Sequence, residues 1–440
     1  MKNFLRDITT RIMSALAESA LLRHKPFIIG VTGSVGKTTT KDAIAHVLAE
    51  HTSVRKSDKS FNSEIGLPLA ILGLPNAWLS PWGWFKNIVA GIKIAYFHKE
   101  FPKVLVLEIG ADKPGDIGRA MKWIHPLIGV LTRLPDRPVH VENFPTPELV
   151  REEKAKLIAA LPESGVFVAN ADDERVMKLA EDAHMKVISY GFKEGAMVMG
   201  SSVAITYADA KKTIPRGVSM DVTYGRETAV VHIDGVLGEH ILASALAAIA
   251  VALARDIRFM DAVRDASGWK TAPGRMRIIK GKNGATIIDD SYNASPVAMR
   301  AALDTLKTIP AVHRIAVLGD MLELGKYSDE EHKAVGAYAA SFVSGLVVVG
   351  KRARLMAEAA LLAGLPANRI RIFTNSVEAG EALAREIGEG DVLLVKGSQG
   401  SGANMVRMER ATKQMMADIA DAKKLLVRQE MEWEKQYRKV

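Results

Sequence analysis

Short apolar runs alternate with helical patterns along most of the chain. The first series reads FIIGVTG from Phe27, VLVLEIG from Val104, LIGVLTR from Leu127 and GVFVAN from Gly165. Continuous apolar strands between helices are typical of a parallel sheet that helices cover on both faces. A second series, ATIIDDSY, RIAVLGD, GLVVVG, RIRIFT and DVLLVKG, begins at Ala285. The pattern therefore predicts an α/β protein with two parallel-sheet domains.

Changes in this pattern indicate the domain borders. Between 202 and 240 the apolar stretches become short and alternating, which favours a small β-rich part. An alanine-rich helical stretch follows at 241–253, and TAPGR at 271–275 is typical of a hinge. We therefore expect an amphipathic helix over 1–25, a central domain over 26–270, a Rossmann-like α/β domain over 271–412 and a charged helical tail over 413–440.

Residues 76–102 have the character of an insertion in the central domain. A helix over 84–97 would gather apolar and aromatic side chains on one side, with Lys86 and Lys93 opposite; the apolar set is Trp84, Phe85, Ile88, Val89, Ile92 and Tyr96. Aromatic residues combined with lysines suit a helix that lies in a membrane interface. A helix that packs on the core, or that forms a dimer, is the alternative.

Composition excludes several classes of protein. The chain has 440 residues, of which 48% are hydrophobic and 25% charged, and it lacks an apolar run of the ~20 residues that span a bilayer. Cysteine is absent, so disulfides, thiolate zinc sites and a cysteine nucleophile are excluded. The net charge of +9 is spread along the chain, which favours phosphate-rich substrates or acidic lipid and gives no sign of nucleic acid. We expect a cytoplasmic protein, with a peripheral position at the inner face of the membrane as an option.

The stretch FIIGVTGSVGKTTT predicts a phosphate-binding loop. A strand that turns into a helix through Gly33 and Gly36 presents backbone N–H groups to an anion, and Lys37 adds a cation. The Thr38 hydroxyl suits the Mg²⁺ that accompanies a nucleoside triphosphate. Ser34 and Thr39 complete the expected ATP-binding loop. The alternative is a glycine-rich turn without a ligand.

This loop and seven further segments resemble the Mur ligases and the related folylpolyglutamate and cyanophycin synthetases. The order of the segments is similar to that of the D-alanyl-D-alanine-adding branch: FNSEIGLPLAIL at 61–72, LEIGAD at 107–112, NADDER at 170–175, APGR at 272–275, DDSYNASP at 289–296, GDMLELG at 319–325 and LVKGS at 394–398. The resemblance implies a central ATP-binding domain followed by the C-terminal domain of that family.

The resemblance also implies a set of metal ligands. Glu108 ends an apolar strand, and with Thr38 and His140 it would hold two Mg²⁺ ions. Lys154 matches the family's carbamylated lysine, whose carbamate is an anion that ligates metal. The alternative is that Lys154 is one solvated charge among several in REEKAK.

Nucleotide and substrate residues follow from the same match. Arg275 in the hinge would reach the γ-phosphate, and Asp290, Tyr292 and Asn293 would face the nucleotide. The expected substrate residues are Asn62, Asn170, Asp172, Lys396 and Ser398. Ordinary polarity at strand ends is the alternative for each of them taken singly.

The implied reaction is ATP-dependent amide formation in cell-wall peptide synthesis. A peptidyl carboxylate would be activated as an acyl phosphate and attacked by an amine, D-alanyl-D-alanine in this branch. A ligase for another acid and amine, poly-amino-acid or lipid-linked, and a non-catalytic nucleotide-binding homologue are the alternatives.

Two segments depart from the family pattern. Only one helix precedes the phosphate loop, where the family carries a domain for the nucleotide-sugar substrate, so we expect a partner protein or a membrane surface to help present the substrate. The family's H-N-x-x-N helix start reads HILAS at 240–244, without either asparagine. This change places the contacts to adenine in question.

Overall fold

The computed structural model describes residues 2–57, 61, 64–78, 80–138, 141–399, 406–430 and 433. The chain divides into two compact units. The first comprises Met1–Ser201, Asp221–Val231 and Ala243–Trp269, and the second comprises Ser202–Met220, His232–Leu242 and Lys270–Val440. The division at Trp269 lies beside the hinge expected at 271–275, whereas parts of the β-rich segment belong to the second unit.

A nine-stranded sheet has the order β2-β3-β1-β4-β5-β6-β7-β8-β9. Its strands are β1 (Phe27–Thr32), β2 (Val54–Lys56), β3 (Val104–Glu108), β4 (Ile128–Leu131), β5 (Val166–Asn170), β6 (Lys186–Gly191), β7 (Val198–Tyr207), β8 (Pro215–Tyr224) and β9 (Glu227–Asp234). β1 pairs in parallel with β3 on one side and with β4 on the other. The four apolar runs of the first series form β1, β3, β4 and β5, as the pattern predicts.

Helices surround this sheet in the chain order that the pattern predicts. They are α1 (Lys2–His24), α2 (Lys37–Ala49), α3 (Gly66–Leu72), α4 (Pro81–Tyr96), α5 (Asp116–Ala120), α6 (Pro147–Ala159), α7 (Glu174–Glu181), α8 (Glu239–Ala254) and α9 (Phe259–Ser267). The apolar sides of α1 and of α3 to α7 form a buried cluster with β1, β3, β4 and β5, which includes Leu16 of α1, Leu107 of β3 and Leu157 of α6. None of the helices in the described part of the chain is both long and apolar enough to cross a bilayer.

The second unit contains a six-stranded sheet with the strand order β10-β11-β15-β12-β13-β14. Its strands are β10 (Arg277–Lys280), β11 (Thr286–Asp290), β12 (Arg314–Gly319), β13 (Gly345–Val349), β14 (Ile370–Phe373) and β15 (Val392–Lys396). β10 is antiparallel to β11, and the remaining pairs are parallel. The helices are α10 (Pro296–Thr308), α11 (Ser328–Ala340), α12 (Arg354–Leu362), α13 (Ser376–Ala384), α14 (Glu409–Met415) and α15 (Ala422–Leu425). The predicted fold class is confirmed.

The segment 413–440 differs from the predicted charged helical tail wherever it is described. The 3₁₀ helix Ile419–Asp421 and the short helix α15 follow α14, and Ala422 and Leu426 belong to the buried cluster of the second unit. Charge composition favoured a solvated helix, but the apolar residues between the charges pack on the sheet.

Helix α4 also differs from the expectation. Trp84 and Ile88 pack against the core, whereas Phe85, Val89, Ile92 and Tyr96 are exposed. The predicted apolar side is therefore split between two faces, because the small residues Gly91 and Ala95 let α4 lie close to the core at a different angle. The alternative prediction, a helix that packs on the core, therefore applies to the face with Trp84 and Ile88 and not to the exposed face.

Helices α11 and α12 approach each other most closely at Gly336. A Cβ at this position would lie 2.1 Å from the carbonyl oxygen of Met356, so the backbones have to separate to admit a side chain. We expect Gly336→Ala to lower the free energy of unfolding by about 1–3 kcal/mol. In Gly388→Ala, the matched control, the new Cβ meets no atom within 4 Å. Urea titration of both variants checks this, and equal midpoints would contradict the packing.

Candidate active site

The phosphate loop lies between β1 and α2, where the backbone adopts positive φ angles at two glycines. Gly33 has φ +139° and Gly36 has φ +84°. A Cβ on Gly33 would lie 2.0 Å from Oγ1 of Thr132, the residue that follows β4. Glycine is required there because the loop presses directly against the neighbouring strand end.

Hydrogen bonds from neighbouring elements hold the loop by its backbone. Thr132 Oγ1 donates to the carbonyl of Val35 at 2.7 Å, and Lys154 Nζ donates to the carbonyl of Gly33 at 3.1 Å. The Ser34 N–H donates to the carbonyl of Arg133 at 2.8 Å. Among the described residues, no side chain caps the N-terminus of α2, so its first N–H groups suit an anion.

The donor set fits a magnesium-bound triphosphate. Thr38 Oγ1 donates to Glu108 Oε2 at 2.8 Å, which places a hydroxyl and a carboxylate together as Mg²⁺ requires. The Ser34 hydroxyl is buried without a hydrogen-bond partner among the described residues, as a group awaiting a phosphate oxygen would be. These residues are the ones that would hold the ion and the phosphates. Within the described residues, no group of three or more His, Asp or Glu side chains gathers as a metal site.

Lys154 is buried beside the loop and is not a solvated charge. Its side chain is 1% exposed, whereas the side chain of Lys156 in the same helix is 49% exposed. Burial lowers the pKa of Lys154 well below its usual value, and the positive charge of Lys37 lowers it further, while Asp112 and Glu108 act in the opposite direction. Burial and Lys37 both act against the charged form of Lys154.

Asp112 and Ser57 are site residues that the sequence analysis did not single out. Burial raises the pKa of Asp112, as does Asp116, against the opposing effect of Lys37 and Lys154. Ser57 Oγ accepts a hydrogen bond from the Glu108 N–H at 3.1 Å and fixes the end of β3. Asp112 is the last residue of the LEIGAD segment, so the family pattern could have identified it. Ser57 follows a three-residue edge strand, and no motif in the sequence marks it as a site residue.

Asn170 lies beside the phosphate loop, and Asp172 does not contact it. Asn170 Nδ2 donates to the carbonyl of Thr132 at 2.6 Å, so it braces the strand end that supports the loop. Asp172 Oδ1 accepts from the N–H groups of Phe192 and Lys193, both at 2.8 Å, and its other oxygen is buried without a partner among the described residues.

In the second unit, Asp290 and Lys396 form a buried ion pair across β11 and β15. Lys396 also donates to the carbonyl of Asn293 at 3.0 Å. Ser398 Oγ donates to the carbonyl of Ala294 at 3.1 Å. Lys396 and Ser398 thus both hold the DDSYNASP loop by its backbone carbonyls, and Asn293 is exposed at the surface of the loop.

Tyr292 of that loop is enclosed by two arginines. The guanidinium carbon of Arg275 lies 4.0 Å from the centre of the Tyr292 ring, and that of Arg428 lies 5.2 Å from it. Arg428 also donates to the carbonyls of Ser291 and Tyr292 and pairs with Glu409 at 3.2 Å. Arg428 comes from the segment expected to be a solvated tail, and a lone arginine among other charges gave no signal of this role.

The structure shows which contacts the altered HILAS segment makes. In the HILAS segment Ile241 is fully buried, and Ser244 Oγ accepts a hydrogen bond from Thr40 Oγ1 at 3.2 Å, which ties α8 to α2. His140 and Asn62, a predicted metal ligand and a predicted substrate residue, lie outside the described residues.

Family models match both predicted domains. The Mur ligase middle domain matches residues 31–81 and 86–252, and the domain described as Mur ligase, glutamate ligase domain matches residues 274–399. The middle-domain match omits only residues 82–85 of the segment 76–102, which the sequence analysis treats as an insertion.

Relatives and solved structures agree with these models. The chain is 30% identical over 398 residues to the UDP-N-acetylmuramoyl-tripeptide–D-alanyl-D-alanine ligase of Bacillus subtilis, covering 90% of this chain and 78% of that protein. It is 33% identical over 425 residues to the ligase of the same name from Mycobacterium tuberculosis, covering 91% and 75%. A structure of MurF from Thermotoga maritima in complex with ADP has a TM-score of 0.74 at 25% identity, covering 94% of this chain and 84% of that one.

A more distant likeness shows the fold alone. The folylpolyglutamate synthase of Mycobacterium tuberculosis complexed with ADP has a TM-score of 0.61 at 17% identity and covers 92% of this chain and 94% of that one. The sequence identities, the two matched domains and the phosphate loop with its Thr38–Glu108 pair together show that the chain belongs to the Mur ligase family.

Proposed function

We propose that this chain is an ATP-dependent, ADP-forming ligase that joins D-alanyl-D-alanine to a peptidyl carboxylate in cell-wall peptide synthesis. The observation that carries the proposal is the Thr38–Glu108 pair at the phosphate loop, together with relatives named for this reaction. A phosphate loop alone is compatible with many reactions, and the family membership selects this one.

In the first step, an oxygen of the substrate carboxylate attacks the γ-phosphorus, and the bond from that phosphorus to the bridging oxygen of ADP breaks. Lys37 and the N–H groups at the start of α2 would bind the phosphate oxygens, and Thr38 and Glu108 would hold Mg²⁺. When bound, Mg²⁺ neutralises charge that develops on the transferring group. Thr132 and Lys154 keep the loop in place by its carbonyls.

In the second step, the amine of D-alanyl-D-alanine attacks the acyl carbon, loses a proton and expels phosphate. The products are the amide, ADP and inorganic phosphate. Exclusion of water protects the acyl phosphate until the amine attacks it.

Lys154 is proposed to carry a carbamate. Its neutral amine would add to carbon dioxide, forming an N–C bond and releasing one proton, and the resulting anion would serve as a further ligand for a second Mg²⁺. Burial and the nearby Lys37 support this proposal, because both favour the uncharged amine that the addition needs. His140 remains a proposed ligand on the resemblance alone.

The remaining predicted residues keep proposed roles. Arg275, Asp290, Tyr292 and Asn293 are proposed to serve the nucleotide, with Asp290 acting through its ion pair with Lys396. The proposed substrate residues are Asn62, Asn170, Asp172, Lys396 and Ser398. We place the protein in the cytoplasm, where ATP is supplied, and a partner protein or membrane surface that presents the substrate is also a proposal.

A panel of acid and amine pairs tests the reaction. We expect phosphate release from ATP only when a peptidyl nucleotide-sugar and D-alanyl-D-alanine are both present. Release with another amine would identify a ligase of different specificity. Bound ATP without release for any pair would favour the non-catalytic homologue and contradict the proposal.

Removal of the negative charge of Glu108 tests the metal site. Glu108→Gln keeps the size of the side chain and an oxygen that accepts from Thr38, but it loses the charge that balances Mg²⁺. We expect the rate of amide formation to fall about 100-fold or more. Glu163→Gln, at an exposed turn, serves as the matched control and should retain the rate. A rate for Glu108→Gln within a few-fold of the unmodified protein would contradict the assignment.

Labelling with ¹³C-bicarbonate tests the carbamate. Because burial lowers the pKa of Lys154, more of its amine is neutral at a given pH than in an ordinary lysine, and this neutral fraction falls as the pH is lowered. We therefore expect a carbamate signal in the ¹³C NMR spectrum that disappears on acidification and is absent from Lys154→Arg. Lys156→Arg, two residues along the same helix, should keep the signal. Its absence from the unmodified protein would count against the carbamate.

A further inference from the structure

Helix α4 carries an exposed apolar stripe that neither the fold nor the ligase reaction uses. Its residues are Trp82, Phe85, Val89, Ile92 and Tyr96, which we call the α4 stripe, and they are between 36% and 62% exposed. Their spacing of three and four residues aligns them on one face over about 20 Å. The stripe is a continuous apolar surface, unlike single exposed apolar residues, which are ordinary.

The opposite side of α4 packs against the protein through specific contacts, and these contacts orient the stripe toward solvent. Asn87, Gly91 and Ala95 are buried, and Asn87 Nδ2 donates to the carbonyl of Pro75 at 2.8 Å. Ser19 of α1 lies 3.2 Å from the Tyr96 hydroxyl, and Arg23 donates to the carbonyl of Ala95 at 3.3 Å. The orientation of α4 is therefore set by specific contacts.

Helix α1 extends the apolar surface. Ile8 and Ile12 are exposed, and their spacing places them on the same face of α1 as Ser19, which contacts the end of the α4 stripe. Trp78 and Phe97, just outside the two ends of α4, are exposed as well. Aromatic side chains thus stand at both ends of the stripe, and aliphatic ones lie in its middle.

The charged residues around the α4 stripe indicate what kind of partner the stripe binds. Between Glu64 and Glu100 the chain has no acidic residue, whereas Lys86, Lys93 and Lys99 lie in that interval. Lys86 follows Trp82 by four residues, with its ammonium 5.6 Å from the Trp82 ring, and Lys93 follows Val89 by four. Both lysines therefore border the stripe, where they can meet the headgroups of a surface into which the aromatic rings insert.

We propose that α4 lies flat on an anionic lipid bilayer, with the α4 stripe in the interfacial region and Lys86 and Lys93 on acidic headgroups. A helix of this kind binds through buried apolar area combined with attraction to anionic lipid. Two like-charged copies of this face would bring their lysines together, which disfavours self-association. The surface is separate from the phosphate loop, so this proposal stands or falls independently of the ligase reaction.

Co-sedimentation of the full chain with vesicles tests the proposal. We expect binding to vesicles of equimolar phosphatidylglycerol and phosphatidylcholine at low salt, weaker binding as salt is raised, and little binding to phosphatidylcholine alone. Phe85→Gln with Ile92→Gln should weaken binding roughly tenfold or more. Leu362→Gln, at an exposed apolar residue of α12, is the matched control and should bind as the unmodified chain does.

A charge variant and the oligomeric state complete the test. Lys86→Gln with Lys93→Gln should reduce binding and its salt dependence, whereas Lys333→Gln, on an exposed part of α11, should not. A urea unfolding midpoint equal to that of the unmodified chain shows that each variant is folded. Failure of the unmodified chain to bind anionic vesicles overturns the proposal. So does a dimer in solution that Phe85→Gln with Ile92→Gln converts to a monomer, because the stripe would then be a self-interface.

Discussion

The pairing of β1 between β3 and β4 is the constraint on which the site depends. Parallel strands end at a common edge, so this pairing brings Glu108 of β3 and Thr132 after β4 to the two sides of the loop that follows β1. From one side Glu108 accepts the hydrogen bond of Thr38, and from the other Thr132 holds the loop by its carbonyls. A shift of either strand would separate the groups that are proposed to bind Mg²⁺ and phosphate.

Local patterns in the sequence predict most of the fold and the phosphate loop. The apolar runs predict the strands because a buried parallel strand needs continuous apolar residues, and the loop is predicted because its glycines and lysine lie within five residues between a strand and a helix. Glu108 is predicted as a metal ligand because it ends such a run and matches the family pattern. By contrast, Ser57 and Arg428 were missed, since their roles depend on contacts with residues far away in the chain. The two faces of α4 were not separated, because helical periodicity alone does not say which neighbour the helix meets.

Three of the buried charged residues lie where the chemistry is proposed. Lys154 beside the phosphate loop and the pair of Asp290 and Lys396 in the second unit are all almost completely shielded from water. Charge in such surroundings is costly unless it is compensated, so these groups need a partner, an altered pKa or a ligand. Asp290 and Lys396 compensate each other, whereas Lys154 has a lowered pKa and donates to a loop carbonyl. The difference indicates that Asp290 and Lys396 serve the nucleotide and the substrate through the loop that they position, whereas Lys154 is proposed to act chemically.

The central claim is that the γ-phosphoryl group passes to the substrate carboxylate before the amide forms. The most direct measurement is the fate of ¹⁸O placed at both oxygens of that carboxylate of the peptidyl substrate, followed by mass spectrometry of the released phosphate. Attack on the γ-phosphorus and later expulsion of phosphate transfer one labelled oxygen from carboxylate to phosphate. The account therefore predicts one ¹⁸O in each phosphate released during ligation, and unlabelled phosphate accompanying amide formation would contradict it.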